Sequence, residues 1–560
     1  MMQRIRQAAD RPFDPIDIAP LIVFRIAFGA LMLWEVWRYF EYDRISRYYV
    51  EPTFWFHYFG FEWVRPLPGD GMFLLFHLLG ALSVLIILGA FYRLSMTLFW
   101  LCFTYVFLLD KTQYLNHFYL VSLVSFLLIF VPTHRALSID AWRKPSLRTD
   151  TVPAWTLWLL RGQMGIVYFF GGLAKLNPDW LVGEPLREWM GNTTDFPLIG
   201  HLFTEEWMVY LFSYGGLLLD LFIVPLLLWR RTRIPALLLS ALFHLMNARL
   251  FNIGIFPWFA IAATLMFMPP HWFRPRWLRL PEAAPVVAHN SAHKMWILGG
   301  IALYFAIQIA LPLRHWLYPG DPSWTEEGHT LAWHMRLRQK AGDITFYAAD
   351  PASGTTWQLP AADHLSARQF RQMQDNPDMI LRFVHYLART LAVDYPNLQI
   401  YVRSMMSLNS RTPQLLIDPT ADLTREPDNL LASDWILPLV QRPSPHPPVP
   451  VLLISRRTEG VLLLMNVGAT PYSISSLRIE TSEHHLQGDA LGVTALLPYE
   501  CLIVHTDDAD LANVFVPCNE TGARVVIAPA LLHDRLQVTT DAETSECAGA
   551  SCVVAGAAGS

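Results

Sequence analysis

Cysteine and charge are both scarce in this chain of 560 residues. Five cysteines occur, Cys102 and then Cys501, Cys518, Cys547 and Cys552, with no Cys-x-x-Cys spacing and no histidine beside the last pair. That argues against a zinc site. A disulfide among the late cysteines requires that this part of the chain lie in an oxidising compartment. Charged residues make up 16% of the chain and the formal net charge is −5. With no basic tract either, there is no electrostatic case for nucleic acid as a partner. A secretory signal is lacking as well: Met1 to Pro20 is polar and carries Arg4, Arg6, Arg11, Asp14 and Asp17. The first membrane segment is therefore expected to act as its own insertion signal.

What the chain has instead is apolar surface: 53% hydrophobic and 13% aromatic residues. The average hides two unlike halves. Up to about Leu313 long apolar runs follow one another, and beyond it the polarity is that of a soluble domain. About 20 apolar residues cross a bilayer. Nine candidates lie at about 18–40, 72–92, 94–110, 115–132, 154–175, 207–229, 234–250, 253–270 and 295–313, and three of them are short or polar enough that eight or nine spans are expected. With the N-terminus placed in the cytoplasm, inner loops hold 15 Lys and Arg, from Arg4 to Lys294, against 8 outside, among them Lys111 and Lys175. This asymmetry supports the N-in orientation and puts the polar half on the outer side.

The expected organisation is an α-helical polytopic membrane domain over 1–313, an extramembrane α+β region over 314–442, a proline-rich linker at 443–450, a small β-sandwich-like module over 451–538 and a disordered tail at 539–560. Strands are expected around Asp343–Tyr347, Leu398–Val402, Val451–Ile454 and Gly460–Asn466, and one helix over about 366–392, where Met379, Ile380, Phe383, Val384, Leu387 and Leu391 recur at helical spacing.

Several polar residues sit where a membrane makes them costly. Lys175 closes the fifth run beside Gly171 and Gly172. It is either a snorkelling cation at a helix C-terminus or an amine in a dry pocket, able to act as a base. Asp110 and Lys111 form a candidate ion pair, and Asn116-His117 follows at a span start, suited to hydrogen bonding or proton transfer. His244 and Asn247 share a helix face, as helix–helix glue or as ligand contacts. Asp220 is a further buried-acid candidate. The aromatic loop Phe54–Phe59 with Tyr48 and Tyr49 is either an interfacial belt or the lining for an apolar ligand arriving from the lipid.

The strings LDKTQYLNHFYL at 109–120, LRGQMGIVYFFGGLAKLNPDWL at 160–181, GGLLLD at 215–220 and FHLMNARLFNIGIF at 243–256 resemble the vitamin K-dependent γ-glutamyl carboxylase family, a bacterial-type homologue with its HTTM-like membrane domain. So do AWHMRLR at 332–338, QIYVRSMMSLNSRTPQLLIDPTADL at 399–423 and DWILPL at 434–439. The likeness runs in order from about residue 14 to 440. It implies a lyase that couples epoxidation of reduced vitamin K (menaquinol or phylloquinol) by O2 to addition of CO2 at peptide glutamate, with no metal.

By position, the resemblance makes Lys175 the base, His117 the support of the reactive intermediate and Asn116 its neighbour. His244, Asn247 and Gln163 fall to the quinone pocket, and Trp333, Met335 and Arg336 to glutamate binding, where His334 and Arg336 depart from the family pattern. No cysteine pair fits the disulfide that joins the two halves in the animal enzymes. The implied partners are a glutamate-containing peptide or protein and the lipid bilayer, and the implied place is a bacterial inner membrane. Two rivals stand beside this reading: a quinone oxygenase that carboxylates no glutamate, and a transporter or membrane receptor, for which the absence of an internal repeat is unfavourable.

Overall fold

The apolar runs of the first half fold as helices. In the computed structural model, which describes residues 10–251, 253–274 and 291–442 and, in the C-terminal region, 451–458, 461–474, 477–480, 485–487, 491, 493–505, 524–527, 536–539, 544–547 and 551–555, these are α1 (Ala19–Glu41), α2 (Gly71–Leu88), α3 (Tyr92–Leu109), α4 (Asn116–Phe130), α5 (Trp155–Leu173), α6 (Glu206–Leu228), α7 (Arg233–Phe251), α8 (Phe256–Thr264) and α9 (Ser291–Leu313). Among the described residues six helical stretches are long and apolar enough to cross a membrane: α1, α2, α3, α6, α7 and Ala292–Leu317, which contains most of α9. The other three runs differ from the expected spans for local reasons. The fourth is cut to Asn116–Phe130 because Val131 precedes Pro132 and takes an extended conformation. The eighth is helical only over Phe256–Phe267, with Pro257 in its first turn and Pro269 and Pro270 just beyond it. The fifth, α5, has 19 residues but carries Arg161 and Gln163.

The helices pack through aromatic side chains on one inner seam. Phe28 meets Phe99 at 5.8 Å, and Phe24 meets Phe259 at 6.1 Å, both edge to face. Where α5 and α6 cross, a Cβ on Gly172 would stand 2.8 Å from the Leu221 side chain and 3.0 Å from its backbone nitrogen, so only glycine allows that approach.

The chain divides into two units: residues 1–314 together with 330–335, and residues 315–329 together with 336–560. A boundary expected at 313 is thus more involved than a single cut, because Arg314 and the six residues 330–335 also belong to the first unit.

In the second unit a four-stranded antiparallel sheet has the order β2-β1-β3-β4, with β1 Lys340–Asp350, β2 Thr355–Leu359, β3 Gln399–Leu408 and β4 Gln414–Leu415. Phe346 pairs with Val402 and Ala348 with Ile400, all four fully buried. The stretch expected as one helix is two, α10 (Ala367–Gln374) and α11 (Pro377–Leu391). Asn376 is forced into an extended conformation by the proline after it, and a Ser366–Gln369 capping box starts α10. The apolar stripe of α11 lies under the sheet, with Phe383 against Phe346 at 5.3 Å.

The C-terminal region holds a five-stranded sheet in the order Arg524–Ile527, Cys501–His505, Val461–Asn466, Val451–Thr458, Ser551–Ala555, and a four-stranded one in the order His485–Gln487, Arg478–Glu480, Leu536–Thr539, Thr544–Cys547. Both faces of the larger sheet are buried, which explains its unbroken apolar runs. Cys501 is disulfide-bonded, whereas Cys102 is free. Part of the stretch expected as a disordered tail is ordered. Ser551–Ala555 closes the edge of the larger sheet against Val451–Thr458, its Val553 and Val554 joining the cores of opposite faces. The linker at 443–450 lies outside the described residues.

Candidate functional site

α5 ends in a turn that one side chain organises from both sides. Asn177 donates from Nδ2 to the carbonyl of Ala174 at 2.8 Å, and its Oδ1 accepts from the Trp180 amide at 2.9 Å, capping the short helix Pro178–Leu181. Trp180 is fixed in turn by Nε1 donating to the Ser213 carbonyl of α6 at 2.8 Å. Its ring lies 5.2 Å from the Lys175 Nζ. Ser213, Gly216 and Asp220 recur along one face of α6, so the same face that grips Trp180 carries the acid.

Lys175 donates from Nζ to Asp220 Oδ2 at 2.6 Å and to the Gly171 carbonyl at 3.1 Å. Lysine and aspartate are 6% and 5% exposed, so the pair is closed to solvent. The space a side chain would take on Gly171 is filled by Met335 Cε at 2.8 Å, with Asp220 Oδ2 at 3.6 Å and the Trp333 carbonyl at 3.9 Å. The segment 330–335 therefore runs past the ion pair.

That segment is held by the start of α4. The Leu331 amide donates to the Tyr114 hydroxyl at 2.9 Å, Tyr114 donates to Asn116 Oδ1 at 2.9 Å, and Asn116 Nδ2 donates to the His334 carbonyl at 3.1 Å. Trp333, 1% exposed, stacks on Tyr119 with ring centroids 4.9 Å apart. Leu331 and Trp333 have φ of 64° and 61°, a left-handed conformation that side chains resist and that these contacts over-determine.

His117 is half-buried, its ring 6.0 Å from Phe256; on another side of Phe256, at 5.8 Å, lies His244. His244 is 1% exposed and shares a 2.8 Å hydrogen bond with the Tyr168 hydroxyl through Nε2. Its Nδ1 has no partner among the described residues. Asn247 follows half-buried on the same helix. Gln163 is fully buried, accepts from Tyr304 at 2.7 Å and leaves Nε2 without a partner among the described residues. It lies ten residues before the end of α5, about 15 Å along the axis from Leu173 and farther still from Lys175. Trp333 Nε1 is a third buried polar atom with no partner among the described residues. Next to Phe118, an aromatic cavity is lined by Tyr39, Phe76, Phe99, Phe103 and Phe107, with Glu35 and Gln113 at its wall.

The structure thus brings Lys175, Asn116, Trp333 and Met335 together and sets His117 and His244 around one ring. It leaves Gln163 apart. Arg336 belongs to the second unit, where it is exposed with φ 52°. Sequence reasoning named Asp220 but not its partner, and it passed over Tyr114, Tyr119 and Tyr168. A tyrosine inside an apolar run is the available clue, since its buried hydroxyl needs a partner. Among the described residues no group of three or more His, Cys, Asp or Glu is placed to hold a metal ion.

Six membrane-length stretches among the described residues, followed by a unit of helices and sheets, define an integral membrane protein with a dry lysine–aspartate pair in its helical unit. Residues 13–272 match the HTTM domain, and residues 293–442 match the lumenal domain of vitamin K-dependent gamma-carboxylase. The chain belongs to the vitamin K-dependent γ-glutamyl carboxylase family. No solved structure matches it.

Proposed function

We propose that the protein is an integral membrane γ-glutamyl carboxylase that couples epoxidation of a reduced vitamin K by O2 to CO2 addition at peptide glutamate. The observation that carries this reading is Lys175, buried on Asp220 beside the Trp180 ring, with Met335 packed on the neighbouring Gly171. A base for a hydroquinone hydroxyl must be water-free and held in place, and an amine closed off by indole, thioether and helix backbone meets that need.

The surroundings suit a flat apolar molecule with few oxygens. Buried nitrogens at His244 Nδ1 and Trp333 Nε1 are left for an oxygen to meet, and aromatic side chains line the space near α4. When bound, the hydroquinone supplies the electrons that activate O2. Lys175 takes a proton at Nζ, while His244, steadied by Tyr168, fixes a ring oxygen. Asn116 holds the segment 330–335 in place, and His117 stands ready to hydrogen-bond an oxygen that gains charge. Asn247 lines the quinone pocket, and Trp333 and Met335 meet the substrate glutamate.

All nine helical segments serve as spans in this reading, the N-terminus faces the cytoplasm of a bacterial cell, and the sheets after residue 451 form a sandwich-like module on the outer side. A disulfide at Cys501 supports the oxidising location. The test is an assay of purified protein with reduced vitamin K, O2, labelled bicarbonate and a glutamate peptide. Epoxide and fixed label both appear if the reading holds; epoxide without label leaves a quinone oxygenase, and neither product rejects the enzyme reading.

A further inference from the structure

A buried base needs a place for its own proton, and here the place is visible. Lys175 and Asp220 meet at 2.6 Å, and the other hydrogen-bond partner of Lys175 is the Gly171 carbonyl, which accepts a hydrogen bond but does not take up a proton. The remaining groups around the pair are the Trp180 ring and Met335, while the Tyr168 hydroxyl of α5 is bonded to His244. Among the described residues no other charged side chain contacts either partner. Ammonium with carboxylate and amine with carboxylic acid carry the same proton count and no net charge. Interconversion therefore needs no water and leaves no naked charge in a dry site.

Resting on the reading of Lys175 as the base, we propose that Asp220 is the positioning and proton-holding residue through which Lys175 gains its free lone pair. An Nζ–H bond breaks as an Oδ2–H bond forms, giving amine and carboxylic acid. The amine then takes the hydroxyl proton of the bound hydroquinone. The site ends with an ammonium, a carboxylic acid and one negative charge on the substrate oxygen, so the total charge is unchanged.

The test uses the full chain in nanodiscs and has two readouts. Under argon, where no turnover occurs, addition of vitamin K hydroquinone produces the infrared band of a protonated carboxyl group. The band is missing in Asp220→Asn and in Lys175→Ala. In air, Asp220→Asn loses roughly 100-fold in kcat for epoxide at neutral pH with KM little changed. It regains rate about tenfold per pH unit as solvent takes over the proton. Asp220→Glu recovers part of the loss and serves as the second variant if the asparagine form does not fold. A wild-type rate and a parallel pH profile in Asp220→Asn, or a faster enzyme whose acid limb moves to lower pH, overturns the proposal. Full epoxide formation by Lys175→Ala instead removes the base reading on which it rests.

Discussion

The Nζ of Lys175 and the Oδ2 of Asp220 lie 2.6 Å apart across the contact of α5 with α6, although 45 residues separate them in sequence. Two glycines on α5 make the meeting possible. Gly172 lets Leu221 approach, and Gly171 leaves room for Met335. Gly172→Ala puts a methyl group 3.0 Å from a backbone nitrogen that cannot step aside, so α6 must shift. We expect a loss of about 1–3 kcal/mol in stability, read as a lower midpoint in thermal unfolding in detergent. The loss of epoxide formation should exceed what the unfolded fraction explains, because the ion pair is displaced.

His244 is expected to act through binding. Replacing it by phenylalanine keeps a flat ring but removes the orphan Nδ1 together with the Nε2 bonded to Tyr168, so the KM for the hydroquinone should rise about tenfold, worth some 1.4 kcal/mol. Steady-state kinetics with kcat held within a small factor would agree. An unchanged KM would remove His244 from the quinone pocket.

In the second unit Glu326 accepts from Arg338 through both carboxylate oxygens at 2.5 Å and from Lys340 at 2.7 Å. Burial raises the Glu326 carboxyl, but Arg338 and Lys340 more than offset that and hold it below the usual range. Glu326→Gln leaves two cations without their counter-ion, Lys340 almost wholly buried. The expected cost is about 3–5 kcal/mol, seen as early unfolding of the second unit. The triple change Glu326→Leu, Arg338→Met and Lys340→Met should recover most of it, since both cations are gone and the buried Asp375 carboxyl can stay protonated.

Asp375 gives a pH dependence of the opposite sense. Burial pushes its carboxyl up to about 6, with Lys340 and Arg338 pulling it partly back. A carboxyl raised on folding binds its proton more tightly in the folded state, so stability falls as pH rises from about 4 to 6 and then levels off. Asp375→Asn should flatten that slope and raise the midpoint at neutral pH, by up to about 3 kcal/mol. Thermal unfolding of both proteins between pH 4 and 8 decides it, and parallel curves would contradict it.

The sequence makes the membrane half legible because a bilayer demands long apolar runs, and all nine runs are helical at their expected places. Their lengths are less legible, since Pro132, Pro257 and Pro269 trim two of them through backbone geometry rather than hydropathy. In the second unit the apolar stripe of α11 was readable, while the break at Pro377 was hidden under a periodicity that continues across it. The strand Ser551–Ala555 escapes composition altogether, because small residues can pair with a free sheet edge as well as dangle. For the site, Lys175, Asn116 and Asp220 stood out as polar residues at membrane depth. The return of residues 330–335 to the membrane unit, and the pairing of the lysine with that particular acid, depend on long-range packing that no local pattern encodes.

The most direct test of the account is to follow epoxide and fixed label together in purified wild type and Lys175→Ala, given vitamin K hydroquinone, O2, labelled bicarbonate and a glutamate peptide. The account predicts both products from the wild type and the loss of both in the variant, with its folded state intact by thermal unfolding. Epoxide formed by Lys175→Ala at the wild-type rate would contradict it.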